Sequence, residues 1–378
     1  MKGVRTEGRA WDVAEENLKG GAAAPRGQKA ALQDKAKDRP HIDLSSLDMD
    51  TLLHVIRPSA LKDGSHQLVL PVYNTQVSVK AYPGSRRLSG EELDGALVAV
   101  RELAIDFEMA LSRTRPDSEV TRLNDAHGEA VRLSELTLDL IDASRRYCEE
   151  SGGVFDVTMG SVTPLWDFHK GVVPERAALD EALRHVGWRM IEVDRAAGTA
   201  RLADPAARID LGGIAKGYIA DALAAKLLEH GCDCAFVNLG GNVLTVGARP
   251  DGNPWRIGVR DPKAPEKMRA VVPVVGKSVV TSGLYERNFT KDGVFYHHIL
   301  NPADGMPVKT DVGGATIVSE RSLDGDGFST TLFALGVQGA LEFVERHPGL
   351  EGIIIGTDDE VHVTSGLAGS VQIVGGAA

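Results

Sequence analysis

Residues 208–224 read RIDLGGIAKGYIADALA, and within them an apolar strand gives way to a helix that runs to about residue 230. Two adjacent glycines, Gly212 and Gly213, precede the helix and allow the backbone to approach a ligand closely. The free N–H groups of a helix start, together with Lys216 in its first turn, favour an anion such as a pyrophosphate. A tight turn with a solvated lysine is the alternative, because no Walker A loop or G-x-G-x-x-G fingerprint accompanies the segment.

Short strands and helices are predicted on both sides of this segment. Two apolar runs between Gln67 and Tyr82 predict paired strands, and Ser89 with Glu92 forms a capping-box pattern before a helix to about Leu111. Further helices are predicted after Ser134 and at 177–186, 327–335 and 339–346. Further strands are predicted at 190–193, 200–203, 235–239, 255–259, 270–275, 295–300, 315–319, 352–355 and 371–374. Strands run in series before helices, which indicates an α+β fold rather than a doubly wound sheet.

The chain of 378 residues is 43% hydrophobic, which is ample for a buried core. Residues 1–40 lack hydrophobic period and are predicted to form a disordered or loosely structured tail. No proline-rich linker divides the remainder, so residues 41–378 are predicted to form a single domain.

Charge and cysteine content exclude several functional classes. The formal net charge of −11 argues against a nucleic-acid partner, because phosphate backbones are bound mainly by lysine and arginine. Three cysteines are too few for a disulfide framework, which fits a reducing compartment. No run of 18 apolar residues is present, so no membrane span is expected. The first 20 residues contain no apolar h-region, and the sequence therefore predicts a cytoplasmic location.

Two polar clusters downstream have the residue types of a catalytic site. Asp326 and Thr330 are four residues apart at a predicted helix start, where a carboxylate and a hydroxyl on one face suit Mg²⁺. An aspartate that caps the helix is the alternative. His297 and His298 end a predicted strand, so only one of them can face a given cleft, as a general base or as a turn-capping side chain. Ser282 is interpreted as a hydrogen-bonding wall, since no G-x-S-x-G elbow surrounds it.

Seven segments in this order resemble the ApbE family, the FAD:protein FMN transferases. They are GGVFDVTMGSVTPLWDFHK, RIDLGGIAKGYIADALA, FVNLGGNVLTVG, PWRIGVRDP, VVTSGLYERNF, YHHILNPADGMPV and DGFSTTLFALG, between Gly152 and Gly336. Each motif is weak alone, but chance does not account for seven motifs in this order. The resemblance implies an ApbE-like, T-fold-related architecture of mixed, mainly antiparallel sheets with helices packed on them.

The resemblance also implies the chemistry. Members of the family bind FAD and Mg²⁺, transfer FMN to a Ser or Thr hydroxyl of an acceptor protein through a phosphoester bond, and release AMP. It places the metal on the Gly213 carbonyl, Asp326 and Thr330, and the catalytic histidine at His298. The positions that it assigns to FAD binding are Val154, Phe155, Asp156, Asp210, Lys216 and Gly314. The implied partner is an acceptor flavoprotein with an FMN-carrying domain.

Three departures from the family pattern stand out. Asn301 replaces an aspartate after the histidine motif, where an asparagine serves equally well if the residue only caps a turn. The family's Met-Gly-Thr reads Tyr73-Asn74-Thr75, and its flavin-stacking tyrosine falls at Thr114. Our hypothesis is that Tyr73 supplies the aromatic face instead.

Two other functions remain open at this point. One is an FAD pyrophosphatase with water as acceptor, and the other is a non-catalytic flavin-binding protein, which would need no base. Self-flavinylation at Thr316, which lies in a Gly-Ala-Thr sequence, is a remote alternative because the segment reads as a core strand.

Overall fold

The computed structural model describes residues 49–374, with the side chains of residues 49, 50 and 52 excepted. The chain divides into two units, Met1–Leu52 and Leu53–Ala378, and the second contains all the described strands and every described helix from Gly90 onward. The predicted tail, residues 1–40, lies outside the described residues, so the predicted domain boundaries stay a prediction.

Seven α-helices are found among the described residues, and the long ones follow the predicted spacing. They are α1 Met49–Val55, α2 Gly90–Leu111, α3 Glu119–Asn124, α4 Glu135–Glu150, α5 Arg176–Leu183, α6 Ala215–Glu229 and α7 Ser322–Arg346. The capping box predicted for α2 is present: Ser89 accepts from the N–H of Glu92, whose carboxylate accepts from the N–H of Ser89. The short α3 was not predicted, since six residues carry too little periodicity.

The strands form one large sheet and three small ones. They are β1 Ser59–Ala60, β2 His66–Val72, β3 Thr75–Ala81, β4 Val131–Arg132, β5 Ile191–Asp194, β6 Thr199–Leu202, β7 Ala235–Leu239, β8 Asn242–Val246, β9 Trp255–Arg260, β10 Met268–Val274, β11 Ser278–Gly283, β12 Asn288–Lys291, β13 Val294–His297, β14 Val312–Ser319, β15 Leu350–Gly356, β16 Val361–Val363 and β17 Gln372–Ile373. The nine-stranded sheet has the order β1-β2-β3-β7-β8-β11-β14-β15-β16, and all its neighbours are antiparallel. The α+β prediction with mainly antiparallel sheets is confirmed.

The nine-stranded sheet is covered on both faces. One face packs against α2, α6 and α7 in the main core, and the other packs against the β9-β10-β17 sheet. All eight residues of the interior strand β14 are buried as a result. Alternate residues of β14 serve the two layers: Ile317 lies in the main core, whereas Val318 packs with Val272 in the second layer.

Helix α7 agrees with the prediction in one respect and differs in another. The sequence predicts two helices, at 327–335 and 339–346, and the backbone of α7 is non-helical at Gly336, whose φ of 71° ordinary residues avoid, so the predicted break is confirmed. Asp311 stabilises this kink by accepting from the N–H of Val337 at 2.9 Å. The helix also begins five residues before the predicted Gly327, because its start is capped by another helix rather than by its own sequence.

Helices α6 and α7 touch at Gly217, near the start of each. A methyl group on Gly217 would lie 2.5 Å from the Ser322 carbonyl oxygen and 2.7 Å from Asp326 Cβ. Only glycine allows this approach, which brings the two predicted polar clusters together.

Strands β12 and β13 form a two-stranded ribbon that is separate from the large sheet. Its cross-strand pair Phe289 and Tyr296 stacks at 5.2 Å, and Phe289 also contacts Phe168 at 5.8 Å. Trp166 stacks on Phe168 in turn at 5.5 Å. This aromatic cluster fixes one face of the ribbon to the loop that precedes α5.

Candidate functional site

The Gly212-Gly213 turn before α6 is held in shape from two sides. Asp210 accepts from the N–H of Gly212 at 2.9 Å and pairs with Arg113 at 2.7 Å. Phe155 packs against Gly213, where an added Cβ would lie 3.1 Å from its ring. The predicted binding residues Asp210, Gly213 and Phe155 therefore lie together at the start of α6.

Asp326 joins the two helices. Its residue lies inside α7, in the second turn, so the alternative of an N-cap for its own helix is wrong. Instead, Asp326 Oδ2 accepts from the N–H of Gly217 at 2.8 Å and caps the first turn of α6. This long-range cap leaves Oδ1 for a second partner, and Asp326 is only 4% exposed.

Lys216 places a positive charge between oxygen atoms at this junction. Its Nζ lies 3.1 Å from the Gly212 carbonyl oxygen and 3.7 Å from Asp326 Oδ1. Thr330 lies one helical turn after Asp326 on the same face. Carboxylate, carbonyl and hydroxyl oxygens are the ligands that Mg²⁺ prefers, and Asp326, Gly213 and Thr330 offer one of each at the two helix starts. The chemistry of these residues fits a divalent cation, and the metal site itself stays a prediction.

Clusters of His, Cys, Asp and Glu side chains that could hold a metal are absent from the region described. No group of three or more His, Cys, Asp or Glu residues that could hold a metal occurs between residues 49 and 374. The candidate metal site is different in kind, since it combines one carboxylate with a backbone carbonyl and a hydroxyl.

Strand β11 of the large sheet is hydrogen-bonded to α7 close to the same junction. Ser282 on β11 donates to Ser329 Oγ at 2.8 Å, and Ser329 donates to the Asp326 carbonyl oxygen at 3.0 Å. Gly314 on β14 lies opposite Gly283 in the register of these two strands. Ser282 is thus close to the metal-site helix, as a hydrogen-bonding residue of the predicted wall.

His298 follows β13 directly and is held by one backbone carbonyl. Its N–H and its Nδ1 both lie near the Arg287 carbonyl oxygen, at 3.1 and 3.3 Å. A carbonyl only accepts, so Nδ1 carries the proton and Nε2 is left as the basic nitrogen. Burial first, and the nearby Arg287 guanidinium second, lower the pKa of His298 to about 4. The charge of Lys216 lowers this pKa further.

The neighbouring histidine faces away from this cleft. His297 is 4% exposed and its Nε2 lies 3.1 Å from the Val308 carbonyl oxygen. The prediction that only one of the two histidines can face a given cleft agrees with this arrangement.

The Gly153–Thr158 loop lies beside the anion site, but its aspartate is already fully engaged. Asp156 accepts from the N–H of Thr158 at 2.8 Å and from the N–H of Trp188 at 3.1 Å. It therefore shapes the loop that carries Val154 and Phe155. Its direct role in FAD binding stays a prediction.

Tyr73 lies in the two-residue turn between β2 and β3, with a φ of 57°. Its hydroxyl donates to the Ala104 carbonyl oxygen at 2.6 Å, and its N–H donates to Glu108 at 2.8 Å. The half-buried ring packs against the main core along α2. Tyr73 is thus hydrogen-bonded to α2, and its proposed stacking role stays a prediction.

The structure bears on two further hypotheses from the sequence, which concern Asn301 and Thr316. Asn301 Oδ1 accepts from the N–H of Ala303 at 2.9 Å, so this side chain caps a turn, as an aspartate would. Thr316 is fully buried on β14 and its hydroxyl is bonded to Thr281 at 2.8 Å. A buried, paired hydroxyl argues against self-flavinylation at Thr316.

The sequence analysis missed three polar residues at the site. Arg113 pairs with Asp210, and Asp221 accepts from the N–H of Ser322. These partners are distant in sequence, so no local pattern indicated the two residues. Glu286 lies within the quoted VVTSGLYERNF segment, next to Arg287. Although Glu286 is exposed overall, desolvation of its carboxyl raises its pKa, against the opposing effects of Lys216 and Arg287. The side-by-side Glu-Arg pair was the signal available for it.

No helix among residues 49–374 is both long and apolar enough to pass through a bilayer. The predicted cytoplasmic location stays a prediction.

Known proteins are similar to this chain in both sequence and fold. Residues 73–354 match the ApbE family. A FAD:protein FMN transferase of Treponema pallidum (strain Nichols) is 35% identical over 320 residues, covering 80% of this chain and 88% of that protein. A FAD:protein FMN transferase of Klebsiella pneumoniae (strain 342) is 33% identical over 277 residues, covering 72% of this chain and 86% of that protein.

Solved structures agree with these sequence relatives. An ApbE protein from Thermotoga maritima has a TM-score of 0.73 at 30% identity, covering 80% of this chain and 98% of that chain. The flavin transferase ApbE from Vibrio cholerae has a TM-score of 0.69 at 26% identity, with 80% and 98% coverage. The predicted ApbE-like fold and family are confirmed, and this chain belongs to the ApbE family.

Proposed function

We propose that this chain is a FAD:protein FMN transferase, which moves FMN from FAD to a Ser or Thr hydroxyl of an acceptor flavoprotein and releases AMP. The observation that carries the proposal is the junction of the two helix starts. There, Lys216 lies between the Gly212 carbonyl and Asp326, and its charge acts on His298.

The donor side of the reaction is a diphosphate. The start of α6 offers N–H groups and a positive dipole end to it, and Lys216 adds a full charge. Gly213, Asp326 and Thr330 are the residues proposed to hold Mg²⁺, which when bound would neutralise charge on the diphosphate and on the leaving AMP phosphate.

The acceptor side requires a base. His298 Nε2 is neutral at physiological pH, since the pKa of His298 is lowered to about 4. It takes the proton from the incoming hydroxyl as the new O–P bond forms and the P–O bond to AMP breaks. The acceptor oxygen comes from the partner protein, so no covalent enzyme intermediate is required.

The test is incubation of the protein with FAD, Mg²⁺ and a cytosolic extract, followed by gel electrophoresis under denaturing conditions. A fluorescent protein band that needs both FAD and Mg²⁺, with release of AMP, supports the transferase. Absence of a band with any acceptor, together with FAD binding, would leave a flavin-binding protein as the better description.

Water is the competing acceptor, because the side chain of His298 is only half-buried. An FAD pyrophosphatase would form FMN and AMP at the same site. AMP release measured with and without the acceptor separates the two activities: a transferase releases AMP faster when the acceptor is present.

Tyr73 provides a test of the flavin environment. If its ring lies against the isoalloxazine, Tyr73→Leu weakens FAD binding and relieves part of the fluorescence quenching of bound FAD. Tyr73→Phe keeps the ring but loses the bond to Ala104, so it serves as the control for destabilisation. Unchanged affinity and quenching in Tyr73→Leu would rule out the stacking role.

A further inference from the structure

Helices α6 and α7 cap each other. Asp326 of α7 accepts from the N–H of Gly217 in the first turn of α6. In return, Asp221 of α6 accepts from the first two N–H groups of α7, from Ser322 at 2.7 Å and from Leu323 at 3.0 Å. Each helix start is therefore closed by a carboxylate that the other helix supplies.

The start of α7 has no side-chain cap of its own. Its N-cap residue, Arg321, makes no capping hydrogen bond. The free N–H groups of a helix start need acceptors, and a carboxylate also interacts favourably with the positive end of the dipole. Asp221 meets both needs with its two oxygens, while Ser322 Oγ donates separately to Asn242 at 2.7 Å.

This cap lies one helical turn from Asp326. Ser322 and Asp326 are four residues apart, so the position of Ser322 sets the height and rotation of Asp326 about the helix axis. The close contact at Gly217 contains no flexible side chain that could absorb a shift. The relation between the two helix starts depends on the reciprocal caps.

We infer that Asp221 is a positioning residue for metal binding: by capping α7 it places Asp326 where its free oxygen, with the Gly213 carbonyl and Thr330, can hold a divalent cation. This inference rests on the proposed function, which supplies the cation. Asp221 does not contact the cation itself. Its effect passes through the first turn of α7.

The experiment compares Asp221→Ala with a matched cap deletion, Ser89→Ala, which removes the N-cap of α2 from a different helix. Mn²⁺ binding is titrated on each protein loaded with FAD, by electron paramagnetic resonance of free Mn²⁺. Asp221→Ala is expected to weaken Mn²⁺ binding by about 10-fold, typical of residues that orient metal ligands. Ser89→Ala is expected to keep wild-type affinity despite a lowered melting temperature.

Turnover gives a second readout that lost stability alone does not produce. The Mg²⁺ concentration for half-maximal transfer should rise about 10-fold in Asp221→Ala, with the rate at saturating Mg²⁺ near that of the wild type. A smaller folded fraction would instead lower the rate at every Mg²⁺ concentration. Asp221→Asn replaces one of the two accepting oxygens with an NH₂ donor, so it keeps the acceptor for one of the two N–H groups and should lie between the two.

The possible results distinguish the inference about Asp221 from the proposed function. Wild-type Mn²⁺ affinity in Asp221→Ala would overturn the inference and leave the proposed function intact. Failure of the wild-type protein to bind Mn²⁺ would overturn both the metal role and the inference. If Asp221→Ala does not fold, wild-type affinity in Asp221→Asn overturns the inference in the same way.

Discussion

The two sides of the site are built differently. On the helix side, backbone N–H groups in the first turns of α6 and α7 donate to carboxylates of the other helix at 2.7–3.0 Å, and Asp326 is 4% exposed. On the ribbon side, His298 is held by a single carbonyl, and Val294 and Phe295 are 50% and 47% exposed. A diphosphate and a cation require fixed ligands, whereas an incoming protein requires an open approach.

The ribbon is partly exposed to solvent but is anchored to the rest of the fold. Its Phe289–Tyr296 pair lies on the aromatic cluster with Phe168 and Trp166, so one face is anchored and the other is free. The comparison shows that His298 is positioned by the ribbon, whereas the proposed metal ligands are positioned by the contact between the two helices. Substitutions on the two sides should therefore affect different steps.

The largest effect is expected from Asp326→Ala on the helix side. It removes the carboxylate ligand and also leaves the N–H of Gly217 without its acceptor. We expect FMN transfer to fall by about 10³-fold, in keeping with several kcal/mol of charge stabilisation lost with the cation. Initial rates across a Mg²⁺ series measure this. A loss that high Mg²⁺ fully restores would contradict the role of Asp326 as a ligand.

On the ribbon side, His298→Ala should slow transfer by about 10²–10³-fold while FAD binding stays near the wild-type value. The comparison of the two sides predicts this separation of FAD affinity from the rate of transfer. Stopped-flow transfer rates and FAD titration measure the two quantities. Equal losses of both would show that His298 belongs to the binding side.

The same variant should change the pH dependence of stability. The pKa of His298 is about 4 in the folded protein against an ordinary value of 6.5, so between these pH values the unfolded state binds more protons. The folded state therefore loses up to about 2 kcal/mol from this group as the pH falls to 5. Denaturant unfolding at pH 7.5 and pH 5 should show a smaller drop for His298→Ala than for the wild type. Parallel drops would show that the pKa of His298 is not lowered.

A smaller effect on the helix side distinguishes two adjacent threonines. Thr330→Val removes a proposed metal ligand and should weaken Mn²⁺ binding by about 10-fold. Thr331→Val removes a hydroxyl that is fully buried and has no hydrogen-bond partner among residues 49–374, so it should leave Mn²⁺ affinity unchanged. Similar affinities for the two variants would remove Thr330 from the site.

The smallest effect is expected from Asn301→Asp, near the ribbon side. Both side chains offer an oxygen to the N–H of Ala303, so the turn is kept. Transfer rates within about twofold of the wild type and stability within ~0.5 kcal/mol are expected. A tenfold change in rate would show that the family's aspartate tunes His298 by its charge.

Local patterns in the sequence predicted most of the fold. The capped helix α2, the β2–β3 hairpin with its Tyr73-Asn74 turn and strand β7 follow from periodicity and turn chemistry. The start of α7 was misplaced because its cap, Asp221, comes from a helix 101 residues away in the chain. Short elements such as α3 carry too few residues for a pattern to show.

For the site, the sequence by itself determined which residue types are present: a glycine pair before a helix, an Asp and a Thr one turn apart, and a histidine after a strand. Resemblance to a family gave these residues their expected roles. Only the tertiary structure decided that Asp326 caps α6, that Lys216 lies between two oxygens, and that Arg287 fixes the proton on Nδ1 of His298. The physical reason is that hydrogen bonds between distant segments depend on the packing of α6 on α7, which is set by the whole core and leaves no periodic trace in the chain.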